Sequence, residues 1–387
     1  MNLQKICPVL ALFTIILVLC AANSVHAIEV TSNIPLGSAP VGIAYDSGKG
    51  EVFVAYLNSN SVSVISDRTD TIVATVPVER GQSCLVYDSA RGEIFVGDDI
   101  NSTISVISDN TNTVIATIPV QGNVSALAYD SGKGEIFVAY LGASYNEVSV
   151  ISDSNNSVVA TVPVYSADSL AYDSGKGEIF AASIGESPRP SPGTVLSHDG
   201  YVLVISDKSN SVVANVTVGE LPQCIVYDSG KGEVFVADFG SPGDAISDKS
   251  NTVVANITSL GLTPSSLAYD SASGEILVGN SITGIVSIIS DSSNALVGNV
   301  SMGGSLVVGT HLESMAYDSG KKEIFIANTL FAEFSVSGTI SVVSNASLTS
   351  ALPSPAVPEF SDQALVLAVV VVTLCTISIT KKKWRNV

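Results

Sequence analysis

Apolar and polar positions alternate in short runs along most of this chain, and the runs return at nearly constant intervals. In the first cycle, residues 41–45 are mostly apolar and 46–50 read Asp-Ser-Gly-Lys-Gly. Residues 51–56 are again apolar, 61–66 alternate as Ser-Val-Ser-Val-Ile-Ser, 67–70 are polar, and 71–78 close the cycle. Val, Ile, Thr and aromatic residues fill the runs, as strands prefer, and Gly with Asp fills the gaps, as hairpin turns require. Each cycle therefore predicts four short strands. No segment between the two ends of the chain repeats with helical period.

The phrase Tyr-Asp-Ser marks the cycle at Tyr45, Tyr87, Tyr129, Tyr172, Tyr227, Tyr269 and Tyr317, with spacings of 42, 42, 43, 55, 42 and 48 residues. A second phrase, Val-Ile-Ser-Asp, ends at Asp67, Asp109, Asp153 and Asp207 and returns more loosely at Asp248 and Asp291. A β-solenoid would use shorter coils, and a sandwich would not repeat its sequence seven times. Four strands per 40–45-residue repeat predict an all-β, seven-bladed β-propeller over residues 28–346. The seventh unit lacks a fourth strand of its own, because residues from 347 run into a Pro/Ser-rich spacer (347–363). The segment 28–36, Ile-Glu-Val-Thr-Ser-Asn-Ile-Pro-Leu, matches the missing strand and is expected to complete the last blade, hiding an open sheet edge.

The residue three before each repeat tyrosine is small in all seven copies: Gly42, Cys84, Ala126, Ser169, Cys224, Ser266 and Ser314. These positions are expected where inner strands converge on the axis, allowing close approach or leaving a channel. Cys84 and Cys224 then read as free buried thiols, because non-neighbouring blades hold Cα atoms beyond the roughly 7 Å reach of a disulfide.

The repeat is broken at 142–147, 184–200, 303–311 and 329–337, and strand order places all four insertions on one face. Loops that vary on a rigid scaffold are where function collects, so that face is the candidate binding face. It carries the histidines His198 and His311, with Glu186, Asp199 and Glu313 close in sequence. Imidazoles and carboxylates are metal-ligand types, but these come from separate blades, and no metal or other cofactor is expected. The Asp-Ser-Gly-Lys-Gly turns carry a lysine and ligand spacings too short for a calcium loop. No nucleophile elbow, His-Glu-x-x-His or P-loop occurs, and the only Trp is Trp384 near the chain's end. The expectation is a non-enzymatic binding, adhesion or envelope-layer protein, whose partner is a surface protein, a glycan or a small molecule. Self-association within a layer is compatible with this reading. A lactonase-like or other hydrolytic propeller is the alternative.

The ends of the chain point outside the cell. Lys5, an apolar run at 9–19 and small residues up to Ala27 read as a signal peptide (1–27), cleaved after Ala27. Residues 364–380 carry no charge and reach roughly 26 Å as a helix, enough for a short transmembrane span. The basic tail 381–387 belongs in the cytoplasm, so the repeats lie outside. Between the two segments stand 12 basic and 36 acidic residues, a balance of −24 that argues against nucleic acid as a partner. Seven Asn-x-Ser/Thr sequons, at Asn101, Asn123, Asn155, Asn215, Asn256, Asn299 and Asn345, are candidate glycan sites in an exported chain.

Ile136-Phe137-Val138-Ala139, Val148-Ser149-Val150-Ile151-Ser152-Asp153 and Val158-Val159-Ala160-Thr161-Val162 resemble the YVTN β-propeller repeat family. The resemblance covers nearly the whole repeat region. It implies the propeller fold and an archaeal surface-layer or similar exported setting, and leaves activity open. Pro358, Glu359 and Phe360, ahead of the apolar span and basic tail, resemble the PEF-CTERM sorting signal of archaeal surface proteins. That resemblance implies removal of the span by a sortase-like enzyme; a stop-transfer anchor accounts for the same residues.

Overall fold

The structure, a computed structural model, describes residues 28–140, 147–184, 200–240, 242–258, 260–261, 263–302, 309–332 and 335–345. The expected signal, spacer, span and tail lie outside these residues. Every regular element among the described residues is a β-strand, and no helix there is long and apolar enough to cross a membrane.

The strands form seven antiparallel sheets of four. Six blades use consecutive strands; blade 1, for example, runs Pro40–Asp46, Glu51–Tyr56, Ser61–Ser66 and Thr71–Pro77. In the seventh, Gly309–Asp318, Glu323–Ala332 and Ser335–Asn345 are completed by Ile28–Leu36, paired antiparallel from Ile28 opposite Asn345 to Leu36 opposite Gly338. The expected closure is therefore the observed one. The inner strand Gly309–Asp318 in turn contacts Pro40–Asp46, which closes the ring.

The two middle strands of each blade are buried almost throughout, whereas outer strands such as Thr71–Pro77 bury one residue in seven. Accordingly the core lies between blades. Phe53, Val62, Val64 and Val76 of blade 1 pack with Ile94, Val96 and Ile107 of blade 2. Ile34 and Leu36 join Phe325, Ile340 and Val342 against Ile43, Val52 and Ile65 at the closure.

The repeated Tyr-Asp-Ser-Gly-Lys-Gly phrase builds the junctions on one face. Asp46 is fully buried, and its Oδ1 accepts the amides of Gly48 and Lys49 at 2.8 and 3.1 Å, an Asx-type turn. Asp88, Asp130, Asp173, Asp228, Asp270 and Asp318 repeat this geometry. Gly50 follows at φ 67°, and a Cβ there would lie 2.5 Å from Asp67 Oδ2, so the turn requires glycine on two grounds. The turn lysine reaches into the next blade: Lys49 Nζ donates to the Asp109 carbonyl, and Lys321 Nζ donates to that of Asp67 across the closure. Tyr87, from blade 2, sets its hydroxyl against Asp46 of blade 1, and Tyr45 closes the cycle against Asp318 of blade 7.

Candidate functional site

An axial cavity of about 240 Å³ is lined by three consecutive residues from each inner strand. Its shape follows from a defect repeated seven times. In every inner strand the register slips one residue, between Pro40 and Gly42, Gln82 and Cys84, Val124 and Ala126, Ala167 and Ser169, Pro222 and Cys224, Pro264 and Ser266, and Leu312 and Ser314. A β-bulge leaves one residue unpaired and re-aims its side chain. The residues so released are Val41, Ser83, Ser125, Asp168, Gln223, Ser265 and Glu313, and all seven line the cavity. They sit at the starts of the inner strands, on the face expected to carry the insertions.

The small residues one position later do allow close approach. A Cβ on Gly42 would stand 2.8 Å from Leu85 Cδ1 of the next blade, and one on Gly97 would stand 2.9 Å from Cys84 Sγ. Cys84 and Cys224 are free thiols, as expected. Burial pushes the Cys84 thiol up to about 12 and raises Cys224 as well, so both stay protonated at neutral pH. One position further on, Ile43, Leu85, Leu127, Leu170, Ile225, Leu267 and Met315 make an apolar collar.

The polar ring is not uniform. Ser83 Oγ donates to the Val124 carbonyl at 2.7 Å, Ser125 Oγ to that of Ala167 at 3.1 Å, and Ser265 Oγ to that of Leu312. These hydroxyls stitch each blade to its successor. Asp168 and Glu313 bring carboxylates instead, in blades 4 and 7. Burial raises both above the ordinary carboxylate range, with His311 partly offsetting the effect at Glu313. His311 Nδ1 lies 3.7 Å from Glu313 Oε1.

Two expectations about position need correction. His311 belongs to the ten-residue strand Gly309–Asp318, opposite Thr329, and not to a loop. Most of 329–337 is likewise strand, because the hairpin of blade 7 continues to the pair Ala332–Ser335. The physical reason is composition: Thr, Leu, Phe, Val and Ser on both arms can extend the ladder. The structure thus brings His311 and Glu313 together, while Glu186, His198 and Asp199 lie outside the described residues. Asp168 and Gln223 were not singled out from the sequence. Their signal was present, since the position four before each tyrosine is the most chemically varied of the inner strand. Among the described residues, no three His, Cys, Asp or Glu side chains converge to hold a metal ion.

Six of the sequon asparagines are exposed: Asn101, Asn123, Asn155, Asn215, Asn256 and Asn299. Asn101 and Asn256 already donate their amides to Asp98 and Asp244 at 2.8 and 2.6 Å. The side chain of Asn345, and the residues Ala27, Pro358, Glu359 and Phe360, lie outside the description.

Comparison with solved structures agrees with the architecture. A chain of hydrazine synthase from Kuenenia stuttgartiensis is similar in fold, with a TM-score of 0.63 at 15% identity, over 76% of this chain and 96% of that one. No protein-family model matches the sequence, and no curated protein matches it. What these comparisons share with the geometry is the fold alone: the chain is a seven-bladed β-propeller.

Proposed function

We propose that this protein is a cell-surface binding propeller whose ligand sits at the axial mouth, and that it is not an enzyme. The observation that carries the reading is the sevenfold bulge, which presents one side chain per blade to a single cavity and places just two acids, Asp168 and Glu313, among neutral residues. A cavity of about 240 Å³ falls below the roughly 300–1,000 Å³ of drug-sized pockets. Carboxylates beside an amide and an apolar collar suit a sugar-sized ligand, whose hydroxyls donate and whose ring rests on aliphatic side chains. The signal-like and span-like ends, the sequons and the resemblance to YVTN repeats and to the PEF-CTERM signal support display outside an archaeal cell. Titration calorimetry of the purified protein against a panel of monosaccharides and short glycans is the test. At least one member should bind, and Asp168→Asn with Glu313→Gln should weaken it tenfold or more; unchanged affinity in the double variant would remove the axial mouth from the proposal.

A second reading, lateral assembly in an envelope layer, is favoured by the rim. Ile72 with Val73, Val114 with Ile115, Val158 with Val159, Val212 with Val213, and Leu296 with Val297 are exposed aliphatic pairs on outer strands. Unpaired outer edges with apolar side chains invite association. Replacing Val73, Ile115, Val159, Val213 and Val297 with lysine should lower the mass measured by light scattering at high concentration. If the protein is already monomeric there, the rim plays no such part.

A further inference from the structure

Blade 5 departs from the other six at positions that meet in space. Gly243 stands where the others carry valine or isoleucine, as Val62 in blade 1, and Asp244 stands where five others carry serine, as Ser63. A Cβ on Gly243 would lie 2.4 Å from Leu260 Cδ1, so a loop leucine fills the volume that the missing side chain vacates. Beside this substitution a cleft of about 500 Å³ opens between blades 4 and 5. Thr217, Val218, Pro242 and Val253 wall it, with Glu220 exposed at the rim.

Asp244 lines the same cleft and is itself nearly inaccessible; its Oδ2 accepts the Gly219 amide at 2.9 Å and its Oδ1 accepts Asn256 Nδ2 at 2.6 Å. Next to it is Asp238, fully buried, whose carboxylate makes no well-formed hydrogen bond and meets only the Gly219 backbone amide that Asp244 already holds. No Lys or Arg among the described residues forms an ion pair with either acid, unlike Asp109, Glu135 and Glu233, which pair with the turn lysines Lys49, Lys133 and Lys231. Burial and the neighbouring Asp244 push Asp238 up to about 8. Buried carboxylates are ordinarily paired, and a cation placed beside these two would let Asp238 release the proton that burial makes it hold.

We propose that this cleft binds a primary alkylammonium group, from a lysine side chain of a partner or from a free amine. The walls would cover the methylene stem and Asp244, backed by Asp238, would take the charged tip. Two carboxylates, with no third His, Cys, Asp or Glu converging on them among the described residues, fit an ammonium better than a metal ion. The site is separate from the axial mouth, so the two proposals stand or fall independently.

Calorimetry on the intact protein with Nα-acetyl-lysine methylamide, its Nε-acetylated analogue, cadaverine and calcium chloride tests the proposal. The charged lysine derivative and cadaverine should bind, the tighter of the two indicating the source, and the neutral analogue should not. Asp244→Ser, the residue of the sister blades, should weaken binding at least tenfold, while Asp168→Asn leaves it unchanged. Asp238→Asn, which copies Asn280 of blade 6, should weaken it less. Equal binding of the neutral analogue, unchanged affinity in Asp244→Ser, or binding of calcium but neither amine would overturn the assignment. Thermal unfolding separates lost binding from lost structure, because Asp244→Ser relieves charge repulsion and should keep or raise the midpoint.

Discussion

Removing Ile28–Leu36 should lower the unfolding midpoint by more than about 10 °C, or leave a protein that aggregates on expression. The segment pairs along most of Ser335–Asn345 and buries Ile34 and Leu36 at the junction of blades 7 and 1. Ile28 and Val30 also pack against the cluster shared by blades 6 and 7. Burying each of the two central side chains is worth about 1.5–3 kcal/mol, and each ladder hydrogen bond adds about 1 kcal/mol net. Against this stands the cost of ordering nine residues, about 1–2 kcal/mol each for the backbone. The segment's own balance is therefore small, and the large effect comes from what its loss uncovers. Ile340, Val342 and Val343 would meet water, and Ser335–Asn345 would become an open edge. Scanning calorimetry of the truncated chain, with and without a synthetic peptide of residues 28–36, checks the argument. Partial recovery of the midpoint by the peptide is expected. An unchanged midpoint without it would show that the closing strand contributes little.

This closure was legible in the sequence because it depends on pattern: a strand missing from one end, and a matching segment at the other. The seven blades, their four strands and the free thiols were legible for the same reason. The axial ring was not. Val41, Ser83 and Asp168 occupy the same place in the repeat, but strict strand alternation gives no notice that a bulge turns that place toward the axis. Nor does a repeat reveal junction chemistry, since Asp46 and Asp109 come from different copies 63 positions apart in the chain. His311 was expected in a loop because the spacing before Tyr317 is longer than usual, yet extra length can as readily prolong a hairpin. Asp244 follows the opposite rule: with Gly243 it departs from the Val-Ser or Ile-Ser that starts most third strands. Its meaning required seeing that Leu260 fills one gap and that Asp244, with Asp238 buried beside it, lines an open cleft.

Raising the pH from 5 to 8 should destabilise the propeller, lowering the unfolding midpoint by on the order of 5 °C. Asp67, Asp109, Asp153 and Asp291 are all raised, first by burial, and each faces a turn carboxylate of the preceding blade: Asp318, Asp46, Asp88 and Asp228. Glu51, Glu93, Glu135, Glu178 and Glu323 are raised by burial as well, with the turn lysine or arginine partly opposing. A carboxyl whose folded value exceeds its unfolded value binds its proton more tightly in the native state. Its contribution is complete below the unfolded value, near 4, and is lost as pH climbs through the folded value. For Asp238 that loss extends to about 8. The −22 balance of residues 28–346 (34 acidic, 12 basic) adds repulsion in the same direction. Urea unfolding across this range measures the slope, and Asp46→Asn isolates one junction. The amide keeps an oxygen for the Gly48 and Lys49 N–H groups while removing the charge beside Asp109. The variant should lose part of the slope and gain stability at pH 8 relative to the parent. A parent midpoint that rises from pH 5 to 8 would show that the lysines reaching across the junctions outweigh the carboxylate pairs.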